Sequence, residues 1–452
     1  MRKAHIIGIG GSVMHALALH LQGQGYQVTG SDDRIEEPAR SRLAAAGLLP
    51  PEEGWFPEKI RPDLDLVVVG MHARSDNPEL LAAQRLNLPL WDMPTLVAKE
   101  SAHKHRIVVA GSHGKTTTTA FLVQAFHQLG FEADWLIGAV PPGLETSFRL
   151  TAAPTFILEG DEYPASVWNP QPKAAVYRPH WLILTGLAWD HANVYPTPES
   201  YQEAFLHLLH TLPKGGACFY NATDPLVKAL VEKTLRPGWH YLYPYEPLPS
   251  FHKGRTWFVK IGRRTVPLRF WGRHNLLNLS AVWRVLEEML IDSSAFAEVA
   301  ANLSLPPLRQ EVWYEEADLV VIRDFAHAPS KVEATLAALR EAFPKLPLIA
   351  VLELHTYSSL LPSFAAQYRH ALRQAHHKWL FVQPAILEQK GGNLEALQVA
   401  LGKGLRWFTH PEALREALGQ AMRRTRKGVI ALLSSGSLGG LTREQVVATL
   451  TS

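Results

Sequence analysis

The chain has little cysteine, no long apolar run and no block of like charge. Its 452 residues include one cysteine, Cys218, which excludes an internal disulfide framework and any cysteine-based metal cluster. No apolar run reaches the ~20 residues that a membrane-spanning helix needs, so no membrane association is expected. The formal charge of +3 is spread along the chain, which gives no sign of a nucleic-acid partner. Met1 to Ile7 lacks the features of a secretory signal, and we expect a cytoplasmic monomer or homodimer.

Apolar strands alternate with helical patterns along the whole chain, which predicts an α/β fold with mostly parallel sheets. At about 150 residues per domain, the length predicts three domains. A polar stretch before the strand Arg106–Ala110 places the first boundary near residue 101, and the linker-like Leu303–Pro307 places the second. The predicted domains are a Rossmann-like domain at 1–100, a central phosphate-loop domain at 101–304, and a Rossmann-like α/β domain at 305–452.

Local patterns predict individual elements in the first two domains. Leu66–Val69 is an unbroken apolar run that predicts a buried strand, and Thr155–Leu158 and Trp181–Thr185 are similar. A hairpin is predicted between Arg255 and Trp271, and a helix from Asn275 to about Leu290. In the third domain the predicted strands are Leu319–Ile322, Leu348–Leu352, Trp379–Val382 and Val429–Leu433.

The segment from Ala110 to Thr118 follows an apolar strand and opens a helix, as a phosphate-binding loop does. Glycines let backbone N–H groups surround a phosphate, and the helix N-terminus adds a positive dipole. Lys115 would neutralise phosphate oxygens, and Thr116 would bind magnesium. An accidental glycine-rich loop is the weaker alternative. The predicted ATP-binding residues here are Gly111, Ser112, His113, Gly114, Lys115, Thr116 and Thr117.

A second glycine-rich loop lies near the amino terminus, again between a strand and a helix. It is similar to a dinucleotide-binding turn, although Val13 stands where the third glycine would be. The favoured interpretation is a diphosphate held at the helix N-terminus, and the alternative is a tight turn without a ligand. The candidate residues are Gly8, Gly10, Gly11, Ser12, Ser31 and Asp32.

Polar clusters follow two apolar strands of the central domain. Glu159-Gly-Asp-Glu162-Tyr ends one strand, and Trp189-Asp-His191 lies just beyond the next. Because carboxylate and imidazole groups at strand ends can bind Mg²⁺ together with phosphate oxygens, the predicted metal ligands are Thr116, Glu159, Glu162 and His191. Taken singly, Glu159 or His191 is more simply explained as a polar residue at a strand end.

Two further motifs lie at the start of a helix and at the end of a strand. In Gly272–Asn278, the residues His274, Asn275 and Asn278 could contact an adenine edge, or the Asn side chains could cap the helix. Asp324 and His327 follow a predicted strand of the third domain, where they would face a ligand cleft. The loop Ser434–Gly440 is placed in the same way.

Taken in order, these motifs resemble the Mur ligases of peptidoglycan synthesis, and the resemblance spans the whole chain. It implies a first domain that binds UDP, a central ATPase domain, and a third domain that binds the amine substrate and part of ATP. It further implies ATP and Mg²⁺ as cofactors and catalytic roles for Lys115, Glu159 and His191. Asn275, Asn278, Asp324 and His327 would then contact the adenosine.

Within the family, several details resemble the murein peptide ligases. Tyr163 follows Asp-Glu where the L-alanine-adding ligases have serine, and no arginine follows His355. The resemblance implies that the tripeptide L-Ala-γ-D-Glu-meso-diaminopimelate is joined to UDP-N-acetylmuramate through an acyl phosphate. No carbamylated lysine is expected after His191, where the sequence reads Ala204-Phe-Leu-His-Leu208.

Three residues depart from the family pattern: Gly186, Ala188 and Arg323. They keep open a non-catalytic sensor of UDP-sugar or ATP that has retained the fold. The other alternative is a UDP-N-acetylmuramate–L-alanine ligase, which would take an amino acid as the amine. A folate-type ligase is disfavoured by the intact first domain.

Overall fold

The computed structural model describes residues 2–71, 73–316, 318–425 and 427–451. The chain forms two compact units whose segments alternate along the sequence. The first unit comprises Met1–Gly111, Thr118–Gly186 and Gln202–Tyr245. The second unit comprises Ser112–Thr117, Leu187–Tyr201 and Glu246–Ser452. Each unit is therefore assembled from sequence segments that lie far apart.

The first unit begins with a parallel sheet. Its strands, counted over the described residues, are β1 (Lys3–Ile7), β2 (Gln27–Ser31), β3 (Leu66–Val69) and β4 (Leu90–Asp92). They lie in the order β2-β1-β3-β4. All of β3 is buried, as its unbroken apolar run predicts for a strand covered on both faces. The accompanying helices are α1 (Met14–Gly23), α2 (Ala39–Ala45), α3 (Pro78–Arg85) and α4 (Met93–Glu100), with a 3₁₀ turn at Pro57–Lys59.

A larger sheet follows in the same unit. Within the described part of the chain its strands are β5 (His105–Ala110), β6 (Ala133–Leu136), β7 (Phe148–Arg149), β8 (Thr155–Gly160), β9 (Trp181–Leu184), β10 (Ala217–Asn221) and β11 (Tyr241–Tyr245). Their order is β11-β10-β9-β5-β8-β6-β7, and β7 alone of these described strands runs antiparallel to its neighbour. The helices are α5 (Lys115–Gln128), α6 (Lys173–Val176), α7 (Pro198–His210) and α8 (Pro225–Thr234).

The register of this sheet aligns the ends of three strands. Ala110 at the end of β5 pairs with Gly160 of β8 and with Leu184 of β9. The carboxyl ends of these strands therefore lie side by side at one edge, which is where ligands bind in parallel sheets.

The second unit contains a small antiparallel sheet, described over β12 (Ser250–Lys253), β13 (Thr256–Ile261) and β14 (Arg264–Leu268). The predicted hairpin is confirmed as the β13–β14 pair, and β12 adds a further strand that the sequence pattern did not predict. Two helices follow, α9 (Arg273–Glu288) and α10 (Ser293–Asn302).

The rest of the second unit is built on a six-stranded sheet, counted over its described residues. The strands are β15 (Glu311–Glu316), β16 (Leu319–Asp324), β17 (Leu348–Glu353), β18 (His377–Phe381), β19 (Arg406–Phe408) and β20 (Gly428–Leu433). Their order is β15-β16-β20-β17-β18-β19, with β15 antiparallel and the others parallel. The helices are α11 (Pro329–Ala342), α12 (Pro362–Ala365), α13 (Tyr368–Ala371), α14 (Pro384–Gln389), α15 (Leu394–Leu401), α16 (Pro411–Thr425) and α17 (Arg443–Thr451), with 3₁₀ turns at Ser358–Leu360, Leu372–Gln374 and Leu438–Gly440.

Both faces of the six-stranded sheet are covered. Ile322 and Leu352 belong to one core cluster, whereas their chain neighbours Val321 and Val351 belong to another. Because successive residues of a strand point to opposite faces, this division shows apolar packing on each side of the sheet. The predicted α/β class with mostly parallel sheets is confirmed. Among the described residues, no helix is both long and apolar enough to cross a membrane.

Candidate active site

The predicted phosphate loop joins β5 to α5, and its glycines are required by its shape. Gly111 has φ of +134°, and a Cβ atom added there would lie 2.3 Å from the Thr185 hydroxyl oxygen. Gly114 has φ of +80°, which also favours glycine. Lys115 is the first residue of α5. The loop therefore leads directly into a helix N-terminus, the arrangement that binds a phosphate group.

Ser112 connects this loop to the segment 187–201 of the same unit. Its hydroxyl oxygen accepts a hydrogen bond of 2.9 Å from the Ala188 N–H. The contact uses only the backbone of Ala188, so the departure from the family pattern at this position leaves it intact. Further along the segment, the Ala192 N–H donates to the Ser358 hydroxyl at 2.9 Å, which ties the segment to the turn after β17.

Asp190 contacts both the backbone of His191 and the side chain of Lys331. His191 has φ of +57°, and its N–H donates to an Asp190 carboxylate oxygen at 2.8 Å. The Lys331 ammonium, on the first turn of α11, lies 3.4 Å from the other Asp190 oxygen. Burial raises the pKa of Asp190, but the cation of Lys331 outweighs it and holds that pKa below its ordinary value. Asp190 is therefore ionised and paired.

His327 lies beside this pair and is neutral. Burial and the neighbouring Lys331 ammonium lower the pKa of His327 to about 3. Its Nδ1 donates to the Phe325 carbonyl at 2.9 Å, which leaves Nε2 as an acceptor. The Tyr368 hydroxyl donates to the His327 carbonyl, and the His355 ring lies 6.5 Å from the His327 ring between centroids.

A continuous chain of hydrogen bonds joins Asp324 to the start of α9. The Asp324 carboxylate accepts from the Gln310 N–H at 2.8 Å. The Gln310 side chain bonds both to the N–H of Trp271 and to its carbonyl, at 2.9 and 3.0 Å. The Asn275 amide donates to the same Trp271 carbonyl, and the Asn278 amide donates to Asn275. Three of the predicted adenosine-binding residues thus belong to one network.

The asparagines of this network do not cap α9. Gly272 occupies the N-cap position with φ of +89° and makes no side-chain cap hydrogen bond. A Cβ atom at Gly272 would lie 2.4 Å from Ala338 Cβ, so the glycine allows α9 to approach α11 closely. His274 follows, and burial lowers the pKa of its imidazole. Asn275 and Asn278 lie within α9, where the Asn275 amide donates to the Trp271 carbonyl and the Asn278 amide donates to Asn275, so neither residue occupies the N-cap position.

Arg323 has a structural role that the sequence did not reveal. It is 3% exposed, and its guanidinium donates to four carbonyl oxygens, including those of Ser434 at 2.7 Å and Gly436 at 2.6 Å. Glu353 holds the same loop by accepting from the Ser434 hydroxyl and from the Leu438 N–H. Arg323 and Glu353 thus shape the loop after β20.

In the first unit, the predicted carboxylates lie at the end of β8. Glu159 accepts a hydrogen bond of 2.6 Å from the Gly138 N–H, and Glu162 is 2% exposed. Asp161 pairs with the Lys173 ammonium at 3.3 Å. Oxygen donors of this type suit Mg²⁺.

The amino-terminal glycine loop is stabilised by its own predicted residues. The Gly10 N–H donates to the Asp32 carboxylate at 2.8 Å, and the Gly8 N–H donates to the Ser31 carbonyl at 2.8 Å. Burial raises the pKa of Asp32 to about 6. The Lys59 ammonium lies 3.3 Å from the Ser31 hydroxyl, a cation beside the loop that the sequence did not predict. Gly11 and Ser12 continue the loop to α1.

The structure distributes the predicted residues over both units. Ser112 to Thr117, His191, His274 to Asn278 and Asp324 to His327 belong to the second unit. Glu159, Glu162 and the residues of the amino-terminal loop belong to the first unit. A glycine-rich loop between a strand of a parallel sheet and a helix N-terminus is the arrangement that binds a nucleotide phosphate.

Comparison with known proteins identifies the family. Residues 109–286 match the Mur ligase middle domain, and residues 3–105 match the domain described as the catalytic domain of the Mur ligase family. A UDP-N-acetylmuramate–L-alanine ligase of Arthrobacter sp. (strain FB24) is 32% identical over 381 residues, which cover 82% of this chain and 79% of the relative. The chain belongs to the Mur ligase family. It is accordingly an ATP-dependent ligase that forms amide bonds, with the three-domain architecture of that family.

Two solved structures are similar to this chain, the first over its whole length and the second over two thirds of it. The murein peptide ligase of Psychrobacter arcticus 273-4 superimposes with a TM-score of 0.72 at 22% identity, covering 100% of this chain and 99% of its own. The corresponding ligase of Neisseria meningitides, which takes the same tripeptide by name, gives a TM-score of 0.61 at 26% identity, covering 67% of this chain and 98% of its own.

Proposed function

We propose that this chain joins L-Ala-γ-D-Glu-meso-diaminopimelate to UDP-N-acetylmuramate in peptidoglycan recycling, with ATP converted to ADP and phosphate. The observation that carries the proposal is the 26% identity to a ligase named for this specificity, over 67% of this chain and 98% of the solved one. The Asp-Glu-Tyr163 sequence and the absence of arginine after His355 agree with it. ATP and UDP-sugars are cytoplasmic metabolites, so the reaction belongs in the cytoplasm.

The phosphate loop binds the phosphates of ATP in this proposal. Backbone N–H groups of residues 111–117 surround the phosphates at the N-terminus of α5. Lys115 stabilises charge on the transferred phosphoryl group. The adenosine is contacted by the group His274, Asn275, Asn278, Asp324 and His327. Neutral His327 offers Nε2 as a hydrogen-bond acceptor. The Asp324 carboxylate already accepts from the Gln310 and Ala326 N–H groups and from the Thr335 hydroxyl, so its remaining acceptor capacity lies on the oxygen that Gln310 contacts.

The proposed metal ligands are of the types that Mg²⁺ prefers. Thr116, Glu159, Glu162 and His191 provide hydroxyl, carboxylate and imidazole groups, which together with phosphate oxygens and water match the preferences of Mg²⁺. Magnesium at the phosphates of ATP would neutralise their charge during transfer. Asp190 fixes the backbone of His191 through its N–H, and Lys331 compensates the charge of Asp190.

The reaction follows from these roles. The lactyl carboxylate of UDP-N-acetylmuramate attacks the γ-phosphorus of ATP, ADP leaves, and an acyl phosphate forms. The free amine of the peptide then attacks the acyl carbon, phosphate leaves, and the amine loses a proton. Because both reactants of the first step are anionic, Lys115 acts chiefly by reducing their repulsion. The amino-terminal loop, with Gly8, Gly10, Gly11, Ser12, Ser31 and Asp32, holds the uridine diphosphate at the start of α1.

The domain limits that go with this mechanism are residues 1–100 for UDP, 101–304 for ATP, and 305–452 for the amine and part of ATP. A monomer or a homodimer would be sufficient, because these segments supply every proposed ligand group.

A second candidate is ligation of L-alanine. The 32% identity to a UDP-N-acetylmuramate–L-alanine ligase supports it, and the two reactions share ATP and UDP-N-acetylmuramate. They differ only in the amine. The sensor alternative is less well supported, because Arg323 stabilises the loop after β20 and Ala188 contacts Ser112 through its backbone, so neither departure removes a catalytic side chain.

The test is ADP release by the purified protein with ATP, Mg²⁺ and UDP-N-acetylmuramate. Release that depends on the tripeptide supports the recycling ligase. Release with L-alanine alone would assign the protein to the biosynthetic reaction. If no ADP is released with either amine, in a protein that still binds ATP, the result would favour the sensor.

A further inference from the structure

Lys390 immediately follows α14, and its side chain contacts the loop after β17. Its ammonium donates to the His355 carbonyl at 2.6 Å and lies 4.8 Å from the centroid of the Tyr357 ring. His355 and Tyr357 belong to the segment that leaves the carboxyl end of β17. Lys390 is therefore placed at the ligand-binding edge of the six-stranded sheet.

His355 links this lysine to His327 of the proposed ATP site in the second unit. The His355 Nε2 is 2.9 Å from the Ser435 hydroxyl, in the loop after β20. The His355 ring also faces His327, which neighbours the pair of Asp190 and Lys331. These contacts connect Lys390 with the residues around His327 through a single intervening histidine.

Lys390 lacks an acidic partner. Over the described residues, no carboxylate oxygen lies within 4.0 Å of its ammonium. The nearby acid Glu353 is buried and accepts hydrogen bonds from Ser434 and Leu438. Burial lowers the pKa of Lys390, as expected for a partly desolvated cation without an anion beside it. An ammonium has three donors, and the His355 carbonyl uses one, so donors remain for an anionic ligand.

The amines of the two candidate reactions differ in how far their charges extend. L-Alanine carries one carboxylate, next to its amine. The tripeptide carries the α-carboxylate of γ-linked D-glutamate and both free carboxylates of diaminopimelate, all beyond the first residue. Selection of the peptide therefore needs a cation that lies away from the amine position.

We infer that Lys390 is a specificity-determining residue that binds a carboxylate of the peptide substrate beyond its first residue. The inference rests on the proposed function, since only a peptide amine presents such a group. Lys390 holds the peptide and takes no part in phosphoryl transfer or in formation of the amide.

The test compares Lys390→Met with Lys390→Arg in the full-length protein. ADP release is measured at varied concentrations of the tripeptide, with ATP and UDP-N-acetylmuramate in excess. Lys378→Met is the matched control, because Lys378 is a half-buried lysine of the same sheet that lies at the amino end of β18. Thermal melting of each variant verifies folding.

We expect Lys390→Met to raise the KM for the tripeptide about tenfold or more, as for loss of a hydrogen bond to a charged group. The kcat and the KM for UDP-N-acetylmuramate should stay within about twofold of the wild type, and Lys390→Arg should retain more of the peptide affinity. With the dipeptide L-Ala-γ-D-Glu, persistence of the effect would assign the carboxylate to glutamate, and its loss would assign it to diaminopimelate.

Two results would overturn the inference while leaving the proposed function in place. One is an unchanged tripeptide KM in Lys390→Met. The other is a fall in kcat with KM unchanged, which would mean that Lys390 only supports the His355 loop. If the wild type released no ADP with the tripeptide, the proposed function itself would be wrong.

Discussion

Replacing Lys331 with methionine should destabilise the second unit, because the buried Asp190 carboxylate would lose its cation. The two charges are 3.4 Å apart, and their side chains are 23% and 6% exposed. At this distance an effective dielectric constant of about 20 gives roughly 5 kcal/mol of attraction. Part of this is offset, because methionine does not have to be desolvated as lysine does. We therefore expect a net loss of about 2–3 kcal/mol.

This loss is measured by chemical denaturation of the ligand-free protein, with a probe that reports the unfolding transition of the second unit. Lys427→Met is the control, because Lys427 pairs with Asp318 at 3.2 Å but the side chains are 68% and 50% exposed. Such an exposed pair contributes less than about 1 kcal/mol. The double variant Lys331→Met with Asp190→Asn should recover part of the stability, since it removes the uncompensated charge. Equal effects of Lys331→Met and Lys427→Met would refute the reasoning.

Three further changes test other parts of the site. Lys115→Ala should abolish ADP release while leaving the affinity for UDP-N-acetylmuramate, measured by calorimetry, largely unchanged; normal turnover would contradict the assigned role. Gly111→Ala should lower kcat/KM for ATP by roughly 100-fold, because the new Cβ would collide with the Thr185 hydroxyl and the backbone at this φ would cost a further ~1–3 kcal/mol. Gly23→Ala is the control, because nothing lies within 4 Å of its new Cβ, and it should have no effect. In the free protein, the raised pKa of Asp32 means that the folded state holds its proton up to about pH 6, whereas the unfolded state releases it near pH 4. The free energy of unfolding should therefore fall as pH rises from about 4 to 6, by on the order of 1 kcal/mol after allowance for solvent screening, and Asp32→Asn should remove this slope in urea titrations.

Parts of the fold could be predicted because their signals are local. The four apolar residues of β3 form a strand with the predicted bounds, since a fully buried strand needs an unbroken apolar run. The strands β11 and β12 were missed for the opposite reason. β11 reads Tyr-Leu-Tyr-Pro-Tyr at a sheet edge, where proline is tolerated, and every residue of β12 is exposed. Their pairing depends on neighbouring strands rather than on their own pattern.

The same distinction applies to the site. The phosphate loop lies within one βα turn, and Gly10 and Asp32 lie within one βαβ unit, where residue spacing is informative. Lys331 is 141 residues from Asp190, and no local pattern relates them. Arg323 was interpreted only as a departure from the family motif, because a buried guanidinium that binds backbone carbonyls leaves no signal in the sequence.

The left-handed backbone of His191 has a consequence for any attempt to improve this protein. A non-glycine residue with φ of +57° costs about 1 kcal/mol or more relative to glycine. A library screened only for heat resistance would therefore enrich glycine at position 191, whereas a library screened for turnover would retain histidine if its imidazole binds the metal ion. At this position, thermostability and activity are expected to select different residues.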